Sequence, residues 1–490
     1  MSFLPSLARA MLRITGIDAP VEGLTRLSGG ANMESSSFTH AHRACVLRRA
    51  PSPGLMQGRP FGHDVEAALI RAAHKAGVRA PEVLGDLIES DGLGSGYVMS
   101  KVEAEVTPAK ILATPPPGLL DDLARELALL HAIPLASLEP GLVAQLPRST
   151  PAAQVQKLVE DFQAAGSNRP VMALALRWLQ DHLPAPGTPV LLHGDFRMGN
   201  LMVHLEGTNQ GTSPDQAPGL ATVLDWELAH IGDRHQDLAY GCINSWRFGH
   251  IDRPAFGIGS LADFWGAYER HSGVPVEAAR FRFWMVYSTL WWGLTCLRMA
   301  AIWREGIDKT LERAVIGRRA SETELDLLML LEVDAPRAER RPLAVVTPTT
   351  SNSVRPEPFG SAQDRPVEGF RQAQPERNHV AAVGKSCGEP STAEMLSALS
   401  DWLATDIKPQ ATGRNKFMVS VAQNALGMLA REAATAPPAF DKTLSDALLA
   451  GTQSLQTPGL LARLKTDTLA KVAVDQPKYS ALAKAHQLWQ

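Results

Sequence analysis

The sequence has no clustered cysteines, no strong charge imbalance and no long hydrophobic run, and each absence argues against a class of protein. The four cysteines, Cys45, Cys242, Cys296 and Cys387, are far apart with no Cys-x-x-Cys pair, which disfavours a zinc site or a disulfide framework. A formal net charge of -3 gives no basis for a nucleic-acid partner. The longest uncharged apolar run, Phe283 to Leu297, is too short to span a bilayer and predicts a buried core helix.

The N-terminal segment lacks the features of a secretory signal. Arg9 and Arg13 interrupt the stretch from Met1 to Pro20, which leaves no apolar h-region. Scattered cysteines fit a reducing compartment, so we expect a cytoplasmic protein with no membrane partner. What the chain does contain is 490 residues, 45% hydrophobic and 20% charged, which is enough for two or three domains.

The most informative part of the chain is a pair of polar segments that each follow an apolar run. They read Leu191-Leu192-His193-Gly194-Asp195-Phe196-Arg197-Met198-Gly199-Asn200 and Val223-Leu224-Asp225-Trp226-Glu227. An Asp, an Asn five residues later and a further Asp after a strand match the catalytic loop and metal-binding aspartate of kinases. The pair therefore predicts phosphoryl transfer.

The residue types in these segments fit that chemistry. Asn200 and Asp225 offer the hard oxygen ligands that Mg²⁺ prefers, with ATP phosphates and water completing its coordination. Asp195 would orient the acceptor hydroxyl and take its proton late in the transfer. His193, two residues earlier, fits a structural role in the loop better than a chemical one.

Together with Gly232-Asp233 and Asp237-Leu238-Ala239, these motifs resemble those of the aminoglycoside phosphotransferase-like kinases. The sequence is most similar to the branch found as the N-terminal kinase-like part of some acyl-CoA dehydrogenase family members. The resemblance covers roughly residues 20 to 335. It implies a protein kinase-like fold, ATP and Mg²⁺ as cofactors, and a phosphotransferase with an alcohol group as acceptor.

The upstream half offers a candidate for each nucleotide-binding part of such a fold. Gly29 and Gly30 precede a β-like run and would let backbone amides approach the phosphates. Arg48 stands where a strand normally offers a Lys to the phosphates, and an Arg can also fork onto phosphate. Glu66, on a segment with helical spacing, is the expected partner of that cation.

The adenine-binding part is expected where a strand runs into a hinge. The segment Gly96 to Val102 has this character, and backbone groups from Met99 to Lys101 would bind adenine. Two simpler interpretations remain for the upstream motifs. A Gly-Gly pair is often only a turn, and Arg49 could replace Arg48, because adjacent strand residues face opposite sides.

Two other functional classes remain as alternatives to an active kinase. An inactive pseudokinase would keep the motifs without turnover, although nothing required for the chemistry is missing. A metal-dependent phosphohydrolase would need ligands drawn from Asp195, Asn200, His204, His230, Asp233 and His235. Asn200 is followed by Leu201-Met202 rather than His, and no late Gly-His-x-His occurs, so this alternative is minor.

The chain divides into two lobes and two further segments. Residues 1–102 alternate short β-like runs with one clear helix, as a small antiparallel nucleotide-binding lobe would. Residues 103–337 form a helical catalytic and substrate lobe. One of its helices is marked by Leu119, Leu123, Leu127 and Leu130, and Ser321 with Glu324 predicts a capping box for another. The predicted fold is α+β and bilobal.

The remaining two segments differ sharply in composition. Residues 338–389 are rich in Pro, Gln, Arg and Ser and predict a disordered linker. Part of it resembles translated bacterial repetitive DNA, which points to a bacterial source. Residues 390–490, opened by a Ser391–Glu394 capping box, resemble an uncharacterised bacterial helical domain. Docking, self-association and substrate capture are all open roles for it.

The acceptor is indicated only by charge. From Tyr240 to Ala320, where the acceptor pocket is expected, there are eleven Lys or Arg against seven Asp or Glu. A site for a polycationic aminoglycoside should be acidic by complementarity. We therefore expect an anionic hydroxylated small molecule, with hydroxyacyl-CoA suggested by the family resemblance. Aminoglycosides and other amino-alcohols or sugars are the alternative acceptors.

Overall fold

The structure is a computed structural model that describes residues 3–27, 33–56, 58–205, 217–340 and 390–490. The smaller lobe contains a five-stranded antiparallel sheet in the order β1-β2-β3-β5-β4. Its strands are β1 (Val21–Arg26), β2 (Glu34–His40), β3 (Arg43–Ala50), β4 (Val83–Asp86) and β5 (Ser95–Ser100), and its helices are α1 (Phe3–Thr15) and α2 (His63–Lys75). The predicted antiparallel lobe is confirmed.

The expectation of one helix in this lobe is wrong, because α1 precedes the sheet. Leu7, Ala10 and Met11 on one face of α1 are fully buried against the sheet. Arg13, near the end of the helix, forms a 2.7 Å ion pair with the buried Asp91. The arginines that argue against a signal peptide thus belong to an amphipathic helix.

The larger lobe is mainly helical, as predicted. Its helices are α3 (Pro108–Ala113), α4 (Leu119–His131), α5 (Pro140–Gln145), α6 (Pro151–Ala164), α7 (Pro170–Asp181), α8 (Arg234–Tyr240), α9 (Leu261–Ser272), α10 (Ala278–Arg304), α11 (Leu311–Gly317) and α12 (Ala320–Leu331). Two antiparallel strand pairs join β6 (Val190–Leu192) to β9 (His230–Gly232) and β7 (Leu201–His204) to β8 (Gly219–Val223). The catalytic loop lies between β6 and β7, and Asp225 follows β8.

Three helical predictions for this lobe can be compared with the structure. All four leucines that mark α4 are buried, and the uncharged apolar run lies within α10. The capping box at Ser321 is wrong, because α12 begins earlier and Ser321 is inside it. Its hydroxyl bonds the carbonyl of Arg318, while Glu324 pairs with Arg169 at 2.6 Å. Across the described ranges, no helix combines the length and apolar character needed to cross a bilayer.

The C-terminal segment is helical, as predicted. It contains α13 (Thr392–Trp402), α14 (Gly413–Thr435), α15 (Lys442–Leu449), α16 (Leu460–Asp475) and α17 (Ser480–Trp489). The Ser391–Glu394 capping box is confirmed. Helices α15 to α17 share one continuous apolar core with the larger lobe, so this part is not packed independently. Almost all of the predicted linker, and the repeat-like sequence within it, lies outside the described residues.

Candidate active site

The catalytic loop is held in place by one buried carboxylate. Asp237, on α8, accepts the backbone N–H of His193 at 2.7 Å and that of Gly194 at 2.9 Å. Gly194 has a φ of +80°, and a Cβ there would lie 2.2 Å from the carbonyl oxygen of Leu228. A side chain is therefore excluded at this position. The Asp237 carboxylate and the glycine together fix the backbone that leads into Asp195.

The His193 side chain connects this loop to the segment that carries Asp225. Its Nδ1 accepts the backbone N–H of Asp195 at 3.1 Å, and its Nε2 donates to the Leu224 carbonyl at 3.0 Å. Complete burial lowers the pKa of His193, which favours the neutral ring that this pair of bonds requires. The geometry is that of a structural link.

Asp195 is 7% exposed, and both of its carboxylate oxygens are held. Oδ1 accepts from Arg197 Nε at 2.8 Å, and Oδ2 accepts from Asn200 Nδ2 at 2.6 Å. The same Asn200 nitrogen also donates to the Asp195 carbonyl at 2.9 Å. Burial raises the pKa of Asp195, and the positive charge of Arg197 opposes that shift. Asn200 Oδ1 accepts no hydrogen bond from the described residues.

Asp225 lies two residues after the end of β8 and adopts a left-handed φ of +67°. The preceding residue, Leu224, donates its N–H to the Asn200 carbonyl at 2.8 Å, so the two segments that carry the oxygen donors are bonded to each other. Amide and carboxylate oxygens are the donor set that Mg²⁺ prefers. Asn200 Oδ1 and Asp225 therefore fit that ion by the chemistry of their donors.

Arg48 reaches across from the smaller lobe to this site. Its Nη2 lies 2.8 Å from Asp225 Oδ1 and 3.0 Å from Glu227 Oε2, and its Nε lies 3.2 Å from Glu66 Oε1. Burial disfavours its charge, but these carboxylates outweigh burial and raise the pKa of Arg48. The structure thus brings together Arg48 and Glu66, as the sequence predicted, and adds Asp225 to the pair.

One further arginine joins this cluster, and the alternative cation lies away from it. Arg59 lies 3.7 Å from Glu66 Oε2 and also pairs with Glu227. Arg49, the alternative cation, is on the opposite face of β3, where it pairs with Glu34 at 2.7 Å and packs over the Phe3 ring. Of the two adjacent arginines on β3, Arg48 is therefore the one that faces Asp225.

The predicted adenine-binding edge is partly occupied by bonds within the sheet. The N–H groups of Ser100 and Lys101 donate to the carbonyls of Glu82 and Ala44 at 2.8 and 3.0 Å. Met99 is on β5, which lies between β3 and β4 in the sheet, and it is paired with Val46 of β3 and Val83 of β4. Gly29 and Gly30 lie outside the described residues.

Three residues of the site carried no predicted role. Asp237 was named only as part of a motif shared with the kinase family, and Arg197 lies in the segment from Leu191 to Asn200. Both residues therefore had a signal in the sequence. Arg59 lies between a 3₁₀ turn and α2, where no periodic pattern indicates which side chains meet. Its position beside Glu66 and Glu227 depends on tertiary packing alone.

The residues proposed for a metallophosphatase do not gather around a common point. Asp233 pairs with Arg280 at 2.7 Å and with His235 at 2.9 Å. His235 Nε2 accepts the backbone N–H of Glu277. Among the described residues, no group of three or more His, Cys, Asp or Glu could hold a metal ion. The structure gives no support to that alternative.

Comparison with known proteins agrees with this geometry. The chain is 29% identical over 335 residues to acyl-CoA dehydrogenase family member 10 of Mus musculus, covering 62% of this chain and 28% of that protein. It is 29% identical over 260 residues to family member 11 of Gallus gallus, covering 50% and 30% respectively. The chain thus spans less than a third of the length of these relatives.

A solved structure shows the same fold. A candidate aminoglycoside phosphotransferase from Ralstonia eutropha JMP134 matches with a TM-score of 0.53 at 19% identity, over 67% of this chain and 98% of that one. This likeness confirms the predicted bilobal kinase-like fold.

The family model described as "Phosphotransferase enzyme family" matches residues 23–274, slightly more than half of the chain. The match confirms the predicted resemblance to a family of phosphotransferases. The chain belongs to the phosphotransferase enzyme family.

Proposed function

We propose that the chain is an ATP- and Mg²⁺-dependent kinase that transfers the γ-phosphoryl group to a hydroxyl of a small molecule. One observation carries the proposal: Asp195 and Asn200 are in contact, and Asp225, bonded through its neighbour to Asn200, meets the Arg48–Glu66 pair. Residues from both lobes thus meet at one place, as phosphoryl transfer requires.

Asn200 Oδ1 and Asp225 would hold Mg²⁺, which would neutralise the charge of the nucleotide phosphates. Arg48 would then exchange its contact with Asp225 for phosphate oxygens, which its guanidinium can contact through two N–H groups. Glu66 keeps hold of Arg48 Nε and so orients the side chain toward the phosphates. Gly29 and Gly30, which lie outside the described residues, remain the proposed source of backbone amides for the phosphates.

Asp195 would accept a hydrogen bond from the acceptor hydroxyl and take its proton as transfer completes. Arg197 and Asn200 hold the carboxylate in one rotamer, so its orientation is set before the substrate arrives. Such fixed orientation lowers the entropic part of the barrier. His193 stays neutral and only positions the loop. The contacts that join Asp195 to Asn200 and Arg48 to Glu66 and Asp225 favour an active kinase over an inactive pseudokinase.

Adenine would bind just beyond the predicted segment. The N–H groups of Ser100 and Lys101 are already used within the sheet, whereas those of Val102 and Glu103 donate to none of the described residues. We therefore propose that the adenine edge runs from Lys101 through Glu103, with Met99 supplying an apolar contact from β5.

The proposed acceptor is a hydroxyacyl-CoA or a similar anionic hydroxylated compound. The basic excess between Tyr240 and Ala320 is a weaker argument than the sequence suggested. Most of this excess positive charge is paired with acidic side chains from outside that segment. Arg270 pairs with Asp121, Arg280 with Asp233, Arg282 with Asp334, and Arg318 with Glu432 and Asp475. Support for a hydroxyacyl-CoA acceptor comes instead from the relatives, which are acyl-CoA dehydrogenase family members.

Self-association through residues 390–490 is also proposed. The helix α13, which is described throughout, contains no buried side chain, and α14 buries only Met428. Met395, Leu399 and Trp402 lie at spacings of four and three residues, as in a helix–helix seam, and are about half exposed. A second copy of the chain could cover this face.

A coupled ADP-release assay tests the proposed function. The acceptors to compare are hydroxyacyl-CoAs, sugars, choline-like alcohols and aminoglycosides. We expect ADP release that depends on a hydroxyacyl-CoA and on Mg²⁺, and that disappears in Asp195→Ala. Turnover of an aminoglycoside, with no binding of CoA thioesters, would refute the proposed acceptor.

A further inference from the structure

A cavity of about 190 Å³ adjoins the catalytic loop. It lies against Gly194, the residue before Asp195, and against Tyr240 on α8. Tyr240 is close enough to Asp195 that burial and the nearby carboxylate together raise the pKa of its phenol. Whole drug-sized ligands occupy roughly 300–1,000 Å³. This space therefore accommodates a fragment of a substrate beside the catalytic residue.

The walls of this cavity combine apolar and uncharged polar side chains and contain no Asp, Glu, Lys or Arg among the described residues. Gln154 from α6 donates to the Gln236 side chain at 3.1 Å, and His230 Nε2 lies 3.2 Å from the same oxygen. Tyr287 and Trp291 from α10 supply aromatic surface. An ammonium or a carboxylate entering this space would lose water without gaining a charged partner.

Ser288, also on α10, is one of the residues that line this cavity. It is 1% exposed, and its Oγ has no hydrogen-bond partner among the residues that the structure describes. A serine within a helix commonly bonds the carbonyl four residues earlier. The neighbouring Thr289 does so, bonding the Met285 carbonyl at 2.8 Å, but Ser288 does not. Leaving a buried hydroxyl unpaired is unfavourable, so the Ser288 hydroxyl is available to a bound partner.

We infer that this cavity is a subsite that binds an uncharged, oxygen-bearing fragment of the acceptor, recognised by the Ser288 hydroxyl. Suitable fragments are an amide, ester or thioester carbonyl, or a second hydroxyl. The inference rests on the proposed kinase function and adds a specificity-determining residue to it. Charged groups of the same substrate stay outside the cavity.

The test uses three four-carbon alcohols that differ only at the far end, with the full chain and no nucleotide. They are 4-hydroxybutanamide, 4-hydroxybutanoate and 4-amino-1-butanol, and calorimetry or ligand-observed NMR measures their dissociation constants. We expect the neutral amide to bind roughly 10-fold more tightly than either charged compound, equivalent to about 1.4 kcal/mol. Equal or tighter binding of the amine or the carboxylate overturns the inference, as does undetectable binding of the amide.

Two variants assign the effect to Ser288. Ser288→Ala should weaken amide binding roughly 2- to 10-fold, the range for one net hydrogen bond. The matched control Thr289→Val removes a hydroxyl that bonds only its own helix, so amide affinity should not change. An unaltered amide affinity in Ser288→Ala overturns the inference.

The same samples separate this inference from the proposed function. ADP release with Mg·ATP is measured for the three alcohols and for the hydroxyacyl-CoA panel. If the amide binds through Ser288 but no acceptor releases ADP, the kinase proposal fails and the subsite stands. If acceptors release ADP but Ser288→Ala changes neither their KM nor the binding of the amide, the subsite fails and the kinase proposal stands.

Discussion

Arg48 Nη2 lies 2.8 Å from Asp225 Oδ1, although the two residues are 177 positions apart in the chain. A cation from the smaller lobe thus neutralises the carboxylate that we propose for magnesium. With Glu66 and Glu227 also within 3.2 Å of Arg48, this pairing limits the repulsion among three partly buried acids. Binding of Mg·ATP would replace the ion pair between Arg48 and Asp225, because Arg48 would contact phosphate and Asp225 would hold Mg²⁺.

Replacing Arg48 tests this exchange. Arg48 contacts three carboxylates through two nitrogens, whereas the single ammonium of Arg48→Lys cannot reproduce that geometry. We expect the KM for ATP to rise roughly 10-fold, the loss of one charge-assisted hydrogen bond. Steady-state kinetics measures it. Arg49→Lys, on the opposite face of β3, is the control and should leave the KM for ATP unchanged.

Asp195 is the proposed general base. Asp195→Ala should lower kcat roughly 10²- to 10⁴-fold, the usual contribution of a general base. Binding of a fluorescent ATP analogue should be largely retained, because Asp195 contacts Arg197 and Asn200 rather than the Arg48 cluster. The control is Asp64→Ala, because Asp64 is an exposed carboxylate at the start of α2. Retained turnover in Asp195→Ala would remove this residue from the mechanism.

Asp225 is expected to be essential for the metal-dependent step. Its left-handed backbone is tolerated by Asn better than by most residues, so Asp225→Asn removes the charge with little strain. Turnover with Mg·ATP should fall by at least about 100-fold, as when a major electrostatic stabiliser is lost. Circular dichroism should show an unchanged fold. Wild-type turnover in this variant would contradict the magnesium assignment.

The pH dependence of turnover should report the environment of Asp195. Burial raises the pKa of this carboxyl, so the acid limb of kcat/KM should lie above the ordinary aspartate value. The charge of Arg197 opposes that shift. Arg197→Gln should therefore move the acid limb to higher pH. The surface variant Arg71→Gln, on the smaller lobe, should leave the limb where it is. A shift to lower pH would show that another group titrates.

Asp326 should make stability depend on pH. It is buried between the larger lobe and α17, where it accepts from Asn244 at 3.1 Å and from Tyr479 Oη at 2.5 Å. Burial raises its pKa to about 7, against the hydrogen bonds from these two partners. The folded state thus holds this proton more tightly than the unfolded state does, and the contribution to stability falls as pH rises from about 4 to 7.

Thermal unfolding across that pH range checks the sign. The wild-type melting temperature should fall between pH 4 and 7, because the free energy of unfolding decreases by roughly 1–4 kcal/mol. Asp326→Asn keeps the side-chain shape without titrating, so its melting temperature should change less over the same range. A wild-type protein that becomes more stable as pH rises, with the variant behaving identically, would contradict this assignment.

Some of the fold and site follows from local sequence patterns. The leucines of α4 and the apolar run of α10 indicate their helices because residues three and four apart share a helix face. The Asp195–Asn200 spacing is short enough for the loop itself to bring the two side chains together. Local sequence patterns cannot show that α12 begins before Ser321, because packing against neighbouring helices sets where this helix starts.

The sequence by itself determined the fold class, and it indicated the order of the predicted catalytic motifs and the candidates Asp195, Asn200 and Asp225, because these depend on neighbours close in the chain. Only the tertiary structure decided that Arg48 rather than Arg49 meets Asp225, that Arg59 joins them, and that the basic residues beyond Tyr240 are largely neutralised. It also revealed the unpaired hydroxyl of Ser288. Each of these depends on contacts between distant segments, and a linear pattern does not encode which buried faces meet.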